Sequence, residues 1–223
     1  DSDTLYKMIA SYHQIKLTNL KSDSAITNNR AELDLAANGI PFFGQNLFQT
    51  TKLTKLQHLE VYRELCNQIN DDTLRESIWI NSNAVENWFI QKTNFARSNG
   101  LISFVGYVIG LGDRHPRNIL FKNTNGHAIH IDLSDCFEKA AKRTFCPEVV
   151  PFRLTRMMVK AFGISGVEGD FKMTAKFVMN LLRRNKSALL AFFDIFAIEV
   201  KDRESALSEY NRVKDKLKGN DFE

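Results

Sequence analysis

The feature that most constrains the fold of this chain is a double change of periodicity between Leu101 and Asp132. Leu101 to Ile109 is apolar on nearly every face, as suits a helix along the buried axis of a helical body. The polar run Gly110-Leu111-Gly112-Asp113-Arg114-His115-Pro116-Arg117-Asn118 follows at once. Two strand-like segments come next, Ile119–Phe121 and Ala128–Ile131, separated by Lys122-Asn123-Thr124-Asn125-Gly126. Asn-Gly tolerates the positive φ that tight hairpins require, so this stretch folds back on itself. The fold-back carries Asp132 to the side of Asn118, and the polar loop rests on a rigid helix.

Around this centre the pattern is helical. Residues 3–17 carry a stripe of Leu5, Met8, Ile9, Tyr12 and Ile15, and a second stripe runs through Leu53, Leu56, Leu59, Tyr62, Leu65 and Ile69. A short helix is expected over Thr73–Ile80. Asn83 with Glu86 reads as a capping box opening the helix that carries Trp88, Phe89, Asn94 and Phe95. Further helices are expected over 152–162, along Phe171, Ala175, Val178, Leu181 and Leu182, over 188–198 and over 202–217, with Gly163, Gly166 and Gly169 marking a turn. Residues 18–51 lose periodicity and read as an insertion or long loop, whose cluster Ile40, Phe42, Phe43, Leu47 and Phe48 either packs back on the body or docks a partner. The fold class is therefore mainly α with a small β-hairpin (α+β).

Composition excludes several functions. At 223 residues the chain fits one domain or one large lobe, and 43% hydrophobic residues suffice for a core. A net charge of +4 with no concentrated Lys/Arg run gives no nucleic-acid surface. No apolar stretch reaches the ~18 residues of a membrane span, which leaves only peripheral membrane association open. Three cysteines, Cys66, Cys136 and Cys146, are odd in number and unpaired in spacing, which fits free thiols in the cytoplasm. The chain begins at Asp1 without a leader and reads as part of something longer.

The polar run and Asp132 supply two carboxylates, an imidazole and a carboxamide. Phosphoryl transfer asks for little more: a hydroxyl held in line and Mg²⁺ held against phosphate oxygens. In protein kinases an Asp base is followed five positions later by an Asn metal ligand, and a second metal-binding Asp lies across a hairpin. Asp113, Asn118 and Asp132 keep that order and spacing. The bland reading is a polar turn in which Asp113 pairs with Arg114 and His115 merely caps. The order Asp113-Arg114-His115 reverses the usual His-Arg-Asp and resembles the phosphatidylinositol-3-kinase-like superfamily of lipid and protein kinases.

The resemblance narrows to the target-of-rapamycin (TOR) kinases of the phosphatidylinositol-3-kinase-related protein kinase family. It is carried by Trp88-Phe89, Thr93-Asn94-Phe95-Ala96-Arg97-Ser98, Val105-Gly106-Tyr107-Val108-Ile109-Gly110, Asp135-Cys136-Phe137-Glu138, Val150 to Met157 and Asn211 to Leu217. It implies the large C-terminal lobe of a kinase domain: a post-hinge helix (1–17), an insertion (18–51), a helical core (52–111), a catalytic loop (112–118), an activation loop (132–155) and C-terminal helices (156–223). The small lobe, with its Gly-rich loop and phosphate-contacting Lys, is absent, so the isolated lobe is expected to hold metal-nucleotide poorly and to be inactive. The resemblance further implies ATP with Mg²⁺, or Mn²⁺, as cofactors. Asp113 and His115 would be catalytic, Asn118 and Asp132 the metal ligands, Leu120 and Ile131 the floor beneath adenine, and Asp3 and Thr4 the nucleotide's edge.

By the same resemblance the substrates are proteins, and a β-propeller regulatory subunit docks on the 18–51 insertion, although the residues there depart from the family pattern. A phosphatidylinositol kinase is the runner-up; lipid kinases carry a dense basic cluster where this chain interleaves Lys139, Lys142 and Arg143 with Glu138, Glu148 and Phe145. A pseudokinase scaffold is the reading from a different class, opposed by Asp113, His115, Asn118 and Asp132. Asp132-Leu133-Ser134 departs from the family's Asp-Phe-Gly, and Ser134 is expected to cost roughly 1 kcal/mol if the backbone there takes positive φ.

Overall fold

A computed structural model describes residues 2–9, 56, 59, 63, 70–144, 147–148, 150–199 and 203–218. The described elements are β1 (Ser2–Thr4), α1 (Thr73–Ile80), α2 (Val85–Ile109), β2 (Ile119–Lys122), β3 (Ala128–His130), α3 (Arg156–Ala161), α4 (Asp170–Arg184), α5 (Lys186–Glu199) and α6 (Arg203–Lys218), with short 3₁₀ turns at Pro116–Asn118, Ala140–Lys142 and Gly166–Glu168. The expected class, mainly helical with a small sheet, is what forms. The 18–51 insertion, Cys66 and Cys146 lie outside the described residues, as does most of the 53–69 stripe; Leu56 and Leu59 of that stripe are helical and exposed.

The hairpin forms where expected, with Ile119 opposite His130 and Phe121 opposite Ala128. Its turn takes positive φ at Gly126 alone, at 80°. The amide N–H of Gly126 donates to the Lys122 carbonyl at 2.7 Å. A third strand adds to the outer edge: β1 pairs antiparallel to β2, with Thr4 opposite Leu120 and Asp3 opposite Phe121. The expected helix from residue 3 therefore begins later, at residue 5, after Thr4 accepts a hydrogen bond from the Lys7 amide at 3.1 Å and so caps it.

Two expected helices are one. α2 runs through Ser98-Asn99-Gly100 without a break, because Asn99 donates its side-chain amide to the Phe95 carbonyl at 2.7 Å and Ser98 its hydroxyl to the Asn94 carbonyl at 2.6 Å. Gly100 lets α4 approach so closely that a Cβ there would lie 2.7 Å from the Phe171 carbonyl oxygen. The segment 101–109 is not buried all round: Leu101 is exposed, while Ser103, Gly106 and Val108 are buried. No capping box opens α2; its N-cap is Ala84, in extended backbone with no side-chain bond.

α3 is shorter than the expected 152–162. Thr155 caps it by accepting the Met158 amide at 3.4 Å, which leaves 152–154 outside the helix. In α4 the buried stripe is Phe171, Ala175, Val178 and Met179; Leu181 is exposed. The core is built around Phe95, fully buried, with Phe121 and Phe162 rings 5.9 and 5.8 Å away and Phe171 stacked on Phe162 at 5.2 Å. Leu5, Met8, Leu74, Ile78, Ile119 and Met158 complete it, so the hairpin and both flanking helices share one apolar body. A second cluster of Val108, Met179, Leu190, Val213 and Leu217 packs α5 and α6 against the C-terminal end of α2.

Candidate active site

The polar run leaves α2 through Gly110, whose backbone is left-handed (φ 64°, ψ 44°), and the Leu111 amide donates back to the Gly106 carbonyl at 2.8 Å. A Cβ at Gly110 would lie 2.6 Å from the Glu138 nitrogen. Asp113 and Asp132 are also left-handed, at φ 57° and 55°. For an L residue that conformation costs roughly 1–2 kcal/mol, and it persists only where the surroundings over-determine it.

Those surroundings are specific. The Asp113 amide donates to both carboxylate oxygens of Glu148, at 3.1 and 3.2 Å. The Asp113 carbonyl accepts the side-chain amide of Asn118 at 3.0 Å. On the other side of the hairpin, the Ile131 amide donates to the Asn118 carbonyl at 3.0 Å. Arg114 closes the network: buried, it donates Nε to the Gly112 carbonyl and Nη1 to the Ile131 carbonyl, each at 2.7 Å, and Nη2 to the Asp132 carbonyl. One guanidinium thus ties the loop bearing Asp113 to the segment bearing Asp132.

Neither contact of the bland reading forms among the described residues. Arg114 spends its donors on three carbonyls, and the cation facing the Asp113 carboxylate is Arg143, at 3.7 Å. His115 makes no side-chain cap on the Pro116–Asn118 turn, and its Nδ1 is buried without a hydrogen-bond partner among the described residues. Burial lowers the Arg114 pKa, while Asp113 and Asp132 hold it up. His130, beneath the loop, is pushed down to about 4 by burial and then by Arg114, so it is neutral at physiological pH.

Asn118 is buried with its amide committed to Asp113, which leaves its carbonyl oxygen as the available donor atom. The Asp132 carboxylate is exposed and its pKa is lowered, first by the Ser134 hydroxyl that donates to it at 2.7 Å. Among the described residues no three His, Cys, Asp or Glu side chains gather as a metal cluster. Two hard oxygen donors instead fit Mg²⁺, which takes one or two protein oxygens and fills its shell with water and phosphate.

Asp3 and Thr4, expected at the nucleotide's edge, lie on β1 beside β2. Thr4 stands opposite Leu120 across the β1–β2 pair. Ile119 and Phe121 point into the core, whereas Leu120 between them is half-buried and Ile131 is 40% exposed, so the latter two are not ordinary strand core. The Asp3 carboxylate accepts from Lys7 at 2.6 Å and Asn123 at 2.8 Å, and its pKa is lowered by both, Lys7 first.

Three cations of the 132–155 segment are engaged within the chain: Lys139 with the Ser134 carbonyl at 3.3 Å, Lys142 with Glu209 at 3.7 Å, and Arg143 with Asp135. Ser134 itself is not among the left-handed residues, so the cost expected of a Cβ there does not arise; the left-handed position is Asp132. Sequence reasoning missed the positioning parts played by Arg114 and Glu148. No spacing signal marks Glu148, which lies 35 residues from its partner. Arg114 was legible only as a cation between two site residues.

The family described as Phosphatidylinositol 3- and 4-kinase matches residues 2–199. The chain belongs to this family. Within it the chain is 43% identical over 147 residues to the serine/threonine-protein kinase mTor of Drosophila melanogaster and 44% identical over 147 residues to serine/threonine-protein kinase TOR2 of Saccharomyces cerevisiae. Each match covers 66% of this chain and 6% of the relative, so the chain spans a small part of these proteins. The solved structure titled "FAT and kinase domain of CtTel1" aligns over 99% of this chain and 15% of its own, with a TM-score of 0.77 at 24% identity. That likeness establishes the phosphatidylinositol-kinase-like fold. No described helix is long and apolar enough to cross a membrane.

Proposed function

We propose that this chain is the large lobe of an ATP-dependent protein serine/threonine kinase of the TOR type. The observation that carries the proposal is the Arg114 tie, which holds the Asp113–Asn118 loop and the Asp132 segment as one unit. Asn118 and Asp132 would hold Mg²⁺ with ATP, which together supply the transferable phosphoryl group and neutralise charge on its oxygens. Asp113 accepts or orients the proton of the substrate hydroxyl. His115 shares that proton or, protonated, stabilises charge on the phosphoryl oxygens. Leu120 and Ile131 pack under the adenine, with Thr4 and Asp3 at its edge.

Protein rather than lipid substrate is favoured by the engaged cations of the activation segment: Lys139, Lys142 and Arg143 have partners on this chain, whereas a headgroup clamp needs cations turned to phosphate. The β-propeller subunit on residues 18–51 and a cytoplasmic site of action remain part of the proposal, the first supported only by the family resemblance of the rest of the chain, since residues 18–51 themselves depart from the pattern, and the second by the free thiol of Cys136. The test is to incubate the complete protein with radiolabelled ATP, peptide and phosphatidylinositol vesicles. Label should enter peptide, and Asp113→Ala should reduce it by a thousandfold or so while leaving the thermal midpoint near that of the parent. Label in lipid alone, or none in either product, overturns the proposal.

A further inference from the structure

Ser134 lies two residues beyond Asp132 and does something a glycine cannot. Its hydroxyl donates to Asp132 Oδ1 at 2.7 Å, and its amide N–H approaches the same oxygen at 3.4 Å. Both donors fall on one carboxylate oxygen. Asp132 Oδ2 has no hydrogen bond or ion pair among the described residues, and the carbonyl of Asp132 is held by Arg114, so the residue is fixed at its backbone and at one side-chain oxygen. Oδ2 is thus the carboxylate oxygen with no protein donor among the described residues.

That asymmetry bears on which cation is taken. Ca²⁺ accepts six to eight oxygens in flexible geometry and readily uses both oxygens of one carboxylate; Mg²⁺ demands an octahedron and takes one oxygen from each. We propose that Ser134 is a specificity-determining residue for the cation: by occupying Oδ1 it makes Asp132 a one-oxygen ligand and so disfavours Ca²⁺ relative to Mg²⁺. The inference rests on the reading of Asp132 as a cation ligand.

The experiment measures Mn²⁺ bound to the complete protein carrying an unhydrolysable ATP analogue, by electron paramagnetic resonance, with Mg²⁺ and Ca²⁺ as competitors. Ser134 is exposed, so Ser134→Ala and Ser134→Gly disturb no core packing. In both variants Ca²⁺ should gain on Mg²⁺ by roughly tenfold as a competitor, equivalent to about 1.4 kcal/mol. Ser134→Thr, which keeps the hydroxyl, should return the ratio toward that of the parent. An unchanged Ca²⁺/Mg²⁺ ratio in the Ala and Gly variants, with Asp132→Asn still losing bound Mn²⁺, overturns this inference and spares the ligand reading. If Asp132→Asn binds Mn²⁺ as the parent does, the ligand reading falls and the inference falls with it.

Discussion

Residues 132–138 join two unlike ends. At the first, Asp132, Leu133 and Ser134 are exposed, and the main tie to the body is the Arg114 guanidinium on the Asp132 carbonyl. At the other, Phe137 and Glu138 are left-handed, at φ 62° and 56°, and their amides donate to the Ile109 and Gly110 carbonyls at 2.8 Å each. The Glu138 carboxylate is gripped by Arg212 at 2.8 Å and Lys216 at 2.7 Å, both on α6, and Lys216 also donates to the Tyr107 carbonyl at 2.8 Å. The comparison teaches how seven residues serve two demands. On the proposed reading Asp132 meets nucleotide and must exchange partners, and it is held by its backbone and by its neighbour Ser134 alone; the far end is fastened by backbone and side chain to two helices.

The anchored end is the easier to break. Gly110→Val puts a β-branched side chain on a left-handed backbone and drives its Cβ against the Glu138 amide. The left-handed backbone and the overlap together should cost roughly 2–5 kcal/mol, read as a lower denaturant midpoint. A variant as stable as the parent would show that the junction between α2 and the segment yields freely. At the working end, Arg114→Met fills the volume but leaves the Gly112, Ile131 and Asp132 carbonyls without their donor. About 3 kcal/mol of stability should go: hydrogen bonds from a charged donor are worth about 1.5–3 kcal/mol each, and the exposed Ile131 and Asp132 can turn their carbonyls to water in return. Phosphoryl transfer by the complete protein should fall further than nucleotide binding, because the two carboxylates would lose their common tie. Arg114→Lys, which cannot reach three carbonyls in one plane, should recover little of either.

This division was only partly legible in the sequence. The polar loop and hairpin were, because their signal is local: an apolar helix, a turn sequence and two alternating strands need no distant partner. The joining of two helices into α2 was not, because Ser98-Asn99-Gly100 reads as a break until Asn99 is seen bonding to Phe95 and Gly100 is seen pressed on α4. Among the described residues four that carry side chains are left-handed, Asp113, Asp132, Phe137 and Glu138; Asp visits that region more readily than most, but identity alone does not announce it, and for Phe137 and Glu138 gives no hint at all. Their conformations are imposed by Glu148, Arg114 and the carbonyls at the end of α2, contacts that span tens of residues and leave no periodicity.

The smallest expected effect tests whether the Glu138 grip adds to what the backbone already fixes. Glu138→Gln keeps the shape and removes the charge facing Arg212 and Lys216. The ion pairs are partly exposed, so the loss should stay under about 1 kcal/mol and shrink further at high salt. Its pH dependence has a definite sign. Hydrogen bonding from Lys216, then the charges of Lys216 and Arg212, hold the Glu138 pKa below the ordinary 4.5. The folded state therefore binds this proton less readily than the unfolded chain does. The stabilisation is whole above about pH 4.5 and is lost as the pH falls through the lower folded value. Parent and Gln variant should accordingly differ in thermal midpoint near neutrality and converge in acid. A gap that stays constant with pH would assign the difference to packing, and would leave the backbone bonds of Phe137 and Glu138 as the whole of the anchor.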